Sequence, residues 1–231
     1  MSSLADSGRA GPNPTAPGTT AQHALAHLRD AIVSGALVPG ERIGQESVAG
    51  QLGISLAPVR EALRILEREG QVTYRPRRGY IVTELNIDDL EEIYALRALL
   101  EREAAFAALP ALSEDDLAAI EQAAADCAAA VQADDVVSEL AANRRFHHAI
   151  LAPAGRPHTQ RMIDLLWDQT EAYRALYYNS AAERHESLRA HDRILGAVVA
   201  GDPERLAAEL DAHRDRALVV LRGIIAAPAA A

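Results

Sequence analysis

The sequence contains no lysine: all 23 of its basic residues are arginine. Together with the abundance of alanine, this reads as the imprint of a GC-rich genome rather than as a mechanism. There is one cysteine, Cys127, which excludes an intrachain disulfide and suits a reducing cytoplasm. No run of about 18 apolar residues occurs, so no segment is expected to span a membrane. The N-terminus lacks a basic-then-apolar signal pattern. Catalytic signatures are missing as well. There is no His-Glu-x-x-His, no Gly-x-Ser-x-Gly, no phosphate-cradling glycine loop, and none of the Glu-x-x-His pairs that di-iron bundles need. These absences argue against an enzyme. No internal repeat is visible.

At 231 residues the chain has room for two modest domains, and an apolar content of 49% supports full cores. The formal charge of −10 argues against nucleic-acid binding over the whole surface. That charge is unevenly spread. Residues 21–83 hold 8 Arg against 6 acids, while residues 84–231 hold 14 Arg against 26 acids. The N-terminal part can therefore approach phosphate, and the acidic C-terminal part should avoid it. Residues 1–18, rich in Gly, Pro, Ser and Ala, are expected to form a disordered tail.

The stretch Gln45–Gly70 organises the rest. Glu46–Leu52 reads as a short helix with Val48, Ala49 and Leu52 on one face. Gly53-Ile54-Ser55 is the turn, and Leu56–Glu69 the second helix, with Ser55 as N-cap and Pro58 in the first turn. Val59, Leu63 and Leu66 give that helix an apolar stripe, and Arg60, Arg64 and Arg68 lie on another face. A helix–turn–helix with arginines along its second helix suits a DNA major groove. An earlier helix is expected over Thr19–Gly35 and a loop over Ala36–Ile43. Gln71–Tyr74 and Tyr80–Thr83 form a hairpin with the basic tip Arg75-Pro76-Arg77-Arg78-Gly79. Three helices plus this hairpin make a winged helix–turn–helix over residues 19–83.

Residues 84–226 read as helical throughout. Asn86 caps a helix over Ile87–Leu109, and Ser113 with Asp116 forms a capping box for 114–131. Further helices are expected at about 135–151, 157–178, 181–200 and 203–225. The fold class is mainly α, with a winged helix–turn–helix followed by an antiparallel six-helix bundle.

The residues also carry a family resemblance. Leu28-Arg29-Asp30-Ala31-Ile32 with Gly35-x-Leu37-x-Pro39-Gly40-Glu41, then Pro58-Val59-Arg60-Glu61-Ala62-Leu63, then Arg77-x-Gly79-Tyr80-x-Val82, resembles the GntR-type regulators. The helical part resembles the FCD effector domain of the FadR subfamily through Asp89-Leu90, Arg97, Leu100-Glu101, Phe146-His147, Leu166-Trp167, Tyr173-Arg174, His191, Gly201-Asp202 and His213. Six helices point to the VanR-like branch.

The resemblance implies a cytoplasmic homodimer that binds a palindromic double-stranded operator, most simply as a repressor. The DNA-binding residues would be Ser55, Ala57, Pro58, Arg60, Arg64, Arg75, Arg77, Arg78 and Gly79. The family usually has Ser-Arg before Pro-Val-Arg, where this chain has Ser55-Leu56-Ala57, and many members have Arg at the position of Glu46. Leu56 removes a probable guanine reader, so an altered operator is expected, with base reading resting on Arg60.

The resemblance further implies a divalent transition metal, zinc first with nickel or manganese as alternatives, on Asn143, His147, His191 and His213. Asn143 stands where aspartate is usual. Asn143 and His147 are four apart and share a helix face. A small organic acid would complete the metal's coordination, with Arg97, Tyr173 and Arg174 holding the rest of the anion. His148, His158 and His185 are expected to face solvent. The competing readings are a metal-dependent bundle enzyme and an architectural DNA-binding protein without an effector.

Overall fold

A computed structural model describes residues 17–84 and 86–226. The tail expected at 1–18 lies outside the described residues, except for Pro17 and Gly18, which open the first helix.

The N-terminal unit comprises α1 (Pro17–Val33), α2 (Gln45–Leu52), α3 (Leu56–Arg68), β1 (Val72–Arg75) and β2 (Gly79–Val82). Val59, Ala62, Leu63 and Leu66 of α3 are fully buried against Leu28, Ile32, Val48, Ala49 and Val82. That apolar stripe fixes the rotation of α3, so Arg60, Arg64 and Arg68 face outward. Gly53 closes α2 at φ 63°, and Ile54 N–H donates back to the Ala49 carbonyl at 3.0 Å. Ser55 holds the N-cap position of α3 with extended backbone, but its hydroxyl makes no capping hydrogen bond. The expected cap is positional only, and the exposed hydroxyl is left unspent.

The hairpin pairs Val72 with Val82 and Arg75 with Gly79. Its tip turns tightly because Arg77 and Gly79 adopt φ 67° and 82°. The expected loop at 36–43 is partly ordered into the sheet: Arg42 bridges Ile81, and Ile43 N–H donates to the Tyr80 carbonyl at 2.9 Å.

The helical domain comprises α4 (Ile87–Ala108), α5 (Glu114–Gln132), α6 (Val136–Leu151), α7 (Pro157–Gln169), α8 (Glu171–Tyr178), α9 (Ala181–Val199) and α10 (Pro203–Ala226). Its starts are set by side chains. Asn86 accepts from Asp88 N–H, Ser113 and Asp116 form the reciprocal box, and Asp135 accepts from Ser138 N–H. Phe146, Ile150, Ile163, Trp167, Ile194 and Leu206 are buried at the centre. A second cluster brings Val33 of α1 against Leu90, Tyr94 and Tyr173, so the N-terminal unit rests directly on the bundle.

One expected helix is corrected. The stretch 157–178 is two helices, and the six expected become seven among the described residues. The break is at Thr170, which is fully buried. Its N–H and its hydroxyl both donate to the Trp167 carbonyl, at 3.1 and 3.0 Å. That carbonyl is thereby taken by residue i+3, and α8 restarts with Arg174 N–H on the Thr170 carbonyl at 2.9 Å. The inference of a VanR-like branch from a helix count of six loses its basis.

Candidate functional site

Two faces carry the polar chemistry. On the first, Ser55, Ala57, Arg60 and Arg64 are exposed along the start and outer face of α3, with Pro58 half-buried. Arg60 Nε donates to Gln45 Oε1 at 3.2 Å, which steadies its stem across the two helices. Arg75, Arg77 and Arg78 are exposed at the wing tip with Gly79 beside them. Arg42 was not singled out from sequence. Its bridge to Ile81 places it at a surface depression with Arg60 and Gly79, between wing and helix. Only the register of an edge bridge across some forty residues brings it there.

The second site is inside the bundle. Asn143 and His147 come from α6, His191 from α9 and His213 from α10. The three imidazole centroids form a near-equilateral triangle, 5.2–5.3 Å on a side. One nitrogen from each lies within 4.8 Å of the others. His147 Nε2, both nitrogens of His191 and Asn143 Oδ1 are buried with no hydrogen-bond partner. Burial lowers the pKa of His147 and His191 well below the usual value, and neighbouring His213 adds to it. Burial, then Arg97 and Arg214, brings His213 down to about 4. All three rings are therefore neutral at pH 7, with lone pairs to offer. Three neutral imidazoles and an amide oxygen suit a borderline divalent metal. Such an ion would take one nitrogen from each ring and the Asn143 oxygen, and so satisfy most of these unpartnered atoms.

Beside the histidines lies a small cavity of about 30 Å³ between α4, α6, α8 and α10. Trp167 forms one wall. The guanidinium carbons of Arg97 and Arg174 sit 4.2 and 4.4 Å from its ring centroid. Glu101 is 1% exposed and accepts from Arg97 Nε and Trp167 Nε1, both at 2.8 Å, and from Arg214. Burial pushes its pKa up, but Arg97 and Arg214 outweigh that and hold the carboxyl ionised. Arg214 also pairs with Asp211, so Arg97 and Arg214 are together compensated by two acids.

Arg174 is not. It is 5% exposed, and none of its three guanidinium nitrogens has a partner. A buried charge left without a counter-ion is strongly destabilising. The cavity is therefore built with positive charge to spare.

Tyr173 needs correction. Its hydroxyl is turned away from this cavity, accepting from Asn86 N–H at 2.7 Å and donating to the Asn86 carbonyl at 2.9 Å. Tyr177 and Tyr178, one turn further along α8, line the cavity instead. Tyr94, Glu101, Trp167 and Arg214 also line it and were not foreseen as site residues. Glu101 had a signal: a carboxylate four residues after Arg97 on an apolar helix face. His158 and His185 are exposed as expected, but His148 is not fully so. It stacks edge-on against Trp167 and lies 3.2 Å from Asp164, with its side chain 22% exposed.

Comparison with known proteins gives both faces a context. The family "Bacterial regulatory proteins, gntR family" matches residues 20–82, and the FCD domain matches residues 92–216. McbR, an HTH-type transcriptional regulator of Escherichia coli K12, is 31% identical over 179 residues, covering 77% of this chain and 81% of that one. The solved structure of E. coli McbR/YncC superposes with a TM-score of 0.78 over 89% of this chain and 98% of that one, at 28% identity. The HTH-type regulator YdhC of Bacillus subtilis is 28% identical, covering 80% of this chain and 84% of that one. The HTH-type transcriptional repressor GlaR of E. coli K12 is 26% identical, with 80% and 88% covered. No helix among the described residues is long and apolar enough to cross a membrane. The family and these relatives are regulators and not enzymes, and the chain belongs to the GntR family as a DNA-binding transcription regulator with a C-terminal FCD domain.

Proposed function

We propose that this regulator is a homodimeric repressor whose hold on a palindromic operator is set by a small organic acid bound in the FCD cavity. The observation that carries the effector reading is Arg174, whose buried guanidinium has no partner. An anionic ligand supplies the missing counter-charge, and a carboxylate matches the guanidinium fork. Arg97, already paired with Glu101, offers its remaining nitrogens. His147, His191 and His213, with Asn143, would hold a divalent transition metal, whose identity this donor set does not select. A bound metal supplies positive charge and open coordination positions for a carboxylate. With four neutral protein donors that charge is not cancelled, so the demand for an anion is stronger still.

At the other end, residues 19–83 act as the DNA-binding unit and 84–226 as the effector and dimerisation unit. Arg60 and Arg64 enter the major groove, and Ser55, Ala57 and Pro58 let the start of α3 approach the backbone. Arg75, Arg77, Arg78 and Gly79 hold phosphate from the wing, joined by Arg42. The naming of GlaR as a repressor supports that sign of action. Dimerisation matches two-fold protein symmetry to two half-sites. The face best suited to a second copy is on α4 and α7. Leu96 and Leu99 are 42% and 69% exposed, and Met162 is 49% exposed. Arg156 pairs with Glu103, and Leu166 shares a groove with Leu96, so α7 runs antiparallel to α4 and Met162 falls level with Leu99.

The effector reading is tested by screening small organic acids in thermal shift, with and without added Ni²⁺, followed by operator binding for each hit. The expected result is an acid that raises the melting temperature and weakens operator binding together. If no acid does either, the cavity is not an effector site.

A further inference from the structure

We infer that the step between α7 and α8, Trp167–Glu171, is the relay between the cavity and the DNA-binding unit. The inference rests on the reading that the cavity takes a ligand. The step touches both ends of the protein within five residues. Trp167 faces the cavity, stacked against Arg97 and Arg174 and donating to Glu101. Two residues later Gln169 meets the N-terminal unit. A Cβ built on Gly70 would lie 2.9 Å from Gln169 Cγ, so the turn that ends α3 is pressed against this side chain. Gly70 is also at φ 75°, so the contact and the backbone both require glycine there.

Charge is concentrated at the same joint. Arg144 of α6 donates to Asp168 and lies 3.7 Å from Glu171. Those two acids face Glu69 at the end of α3, which accepts from Arg29 of α1 at 2.7 Å. Burial raises the Glu69 pKa, Arg29 opposes it, and Asp168 and Glu171 raise it further. Three carboxylates therefore share two guanidiniums across the boundary, an arrangement that responds to small displacements. One turn into α8, Tyr173 clamps Asn86, the residue that caps α4 and ends the connection from the wing.

The break at Thr170 gives the step its freedom. Because the Trp167 carbonyl is turned to Thr170, α7 and α8 are separate helices that meet at Thr170. A ligand that draws Arg174 or Trp167 inward shifts that joint, and Gln169 and Asp168 carry the shift to Gly70 and Glu69. The ligand can bias the DNA-binding unit only by its difference in affinity between the two arrangements. Coupling is reciprocal, so DNA must also act back on the cavity.

That reciprocity supplies the test, because Trp167 is the single tryptophan of the chain. A duplex selected by the full-length protein from a random-sequence pool is titrated into protein while Trp167 emission is followed. Ni²⁺ affinity is then measured with and without saturating duplex. In the wild type, the duplex should change Trp167 emission and shift Ni²⁺ affinity by about fivefold or more. In Gln169→Ala and, separately, Glu69→Gln, duplex binding should persist while the emission change is lost and the Ni²⁺ shift falls to about twofold or less. If both variants retain the wild-type emission change, the relay is elsewhere and the inference fails. It fails equally if the wild type shows no emission change on binding duplex. Ni²⁺ without effect on Trp167 in the absence of DNA would instead overturn the metal reading of the cavity, leaving the emission change on duplex binding to decide the relay.

Discussion

Replacing Arg174 by methionine tests the cavity from two sides. Methionine fills most of the same volume without the charge. In the ligand-free protein the wild-type guanidinium is buried, with three nitrogens unpartnered. Exchanging buried charge for an apolar side chain of similar size gains about 1–4 kcal/mol when the charge is poorly satisfied. Against this stands the loss of stacking on Trp167, at 4.4 Å, where a desolvated cation–π contact is worth about 2 kcal/mol. The balance places the ligand-free variant between about 1 kcal/mol less stable and about 2 kcal/mol more stable than the wild type. At about 2–4 °C per kcal/mol for a chain of this size, the melting temperature should change by between about −4 and +8 °C. In the presence of the organic acid the wild type gains the advantage. Losing a buried charge-assisted contact costs about 2–5 kcal/mol of binding, so affinity should fall about 30-fold or more. Differential scanning calorimetry with and without the acid, and isothermal titration, read both effects. A variant that is destabilised by well over about 4 °C without ligand and keeps wild-type affinity would refute the reasoning. Arg174 would then be a structural residue whose charge is satisfied by solvent.

Other outcomes follow from the same geometry. Arg60→Ala should weaken operator binding by about 1–3 kcal/mol, roughly 5- to 150-fold, and relax preference at one base position, as read by a binding-site selection; unchanged affinity would remove Arg60 from the reading surface. His191→Ala should abolish Ni²⁺ binding measured by calorimetry on untagged protein, while leaving duplex affinity without metal unchanged. Leu99→Arg should convert the proposed dimer to monomer in sedimentation and weaken binding to a two-half-site duplex far more than to a single half-site. Stability should peak near pH 6.5. The depressed pKa values of His147, His148, His191 and His213 mean that the unfolded chain protonates first as pH falls below about 6.5, so stability is lost toward pH 4, by up to about 1.4 kcal/mol per unit for each ring. Burial raises the Glu139 carboxyl to about 7, so its smaller, opposite contribution is lost as pH rises through 7. Urea midpoints flat between pH 4.5 and 6.5 would contradict this.

Local chemistry explains what could be read in advance. Ser113 with Asp116 formed its box, Asn86 capped α4, and the stripe of α3 buried the residues it should, because each depends on neighbours three or four positions away. The break at Thr170 was invisible for the converse reason. Trp167-Asp168-Gln169-Thr170 contains no Gly or Pro, and the apolar period continues through it. Only the buried position of Thr170 turns its hydroxyl onto the Trp167 carbonyl. Tyr173 was misplaced because 87 residues separate it from Asn86, the group that claims its hydroxyl.

The sequence by itself therefore determined the element types and the exposed arginine row, since helical period and capping are short-range, and its family resemblance named the residues of the histidine cluster. Tertiary structure decided which charges are paired. Arg97 and Arg214 meet Glu101, Arg174 has no hydrogen-bond partner for its charge, and Gln169 presses on Gly70. Those relations arise where helices from distant parts of the chain share one interior, and there a partner's presence or absence sets the cost of a charge.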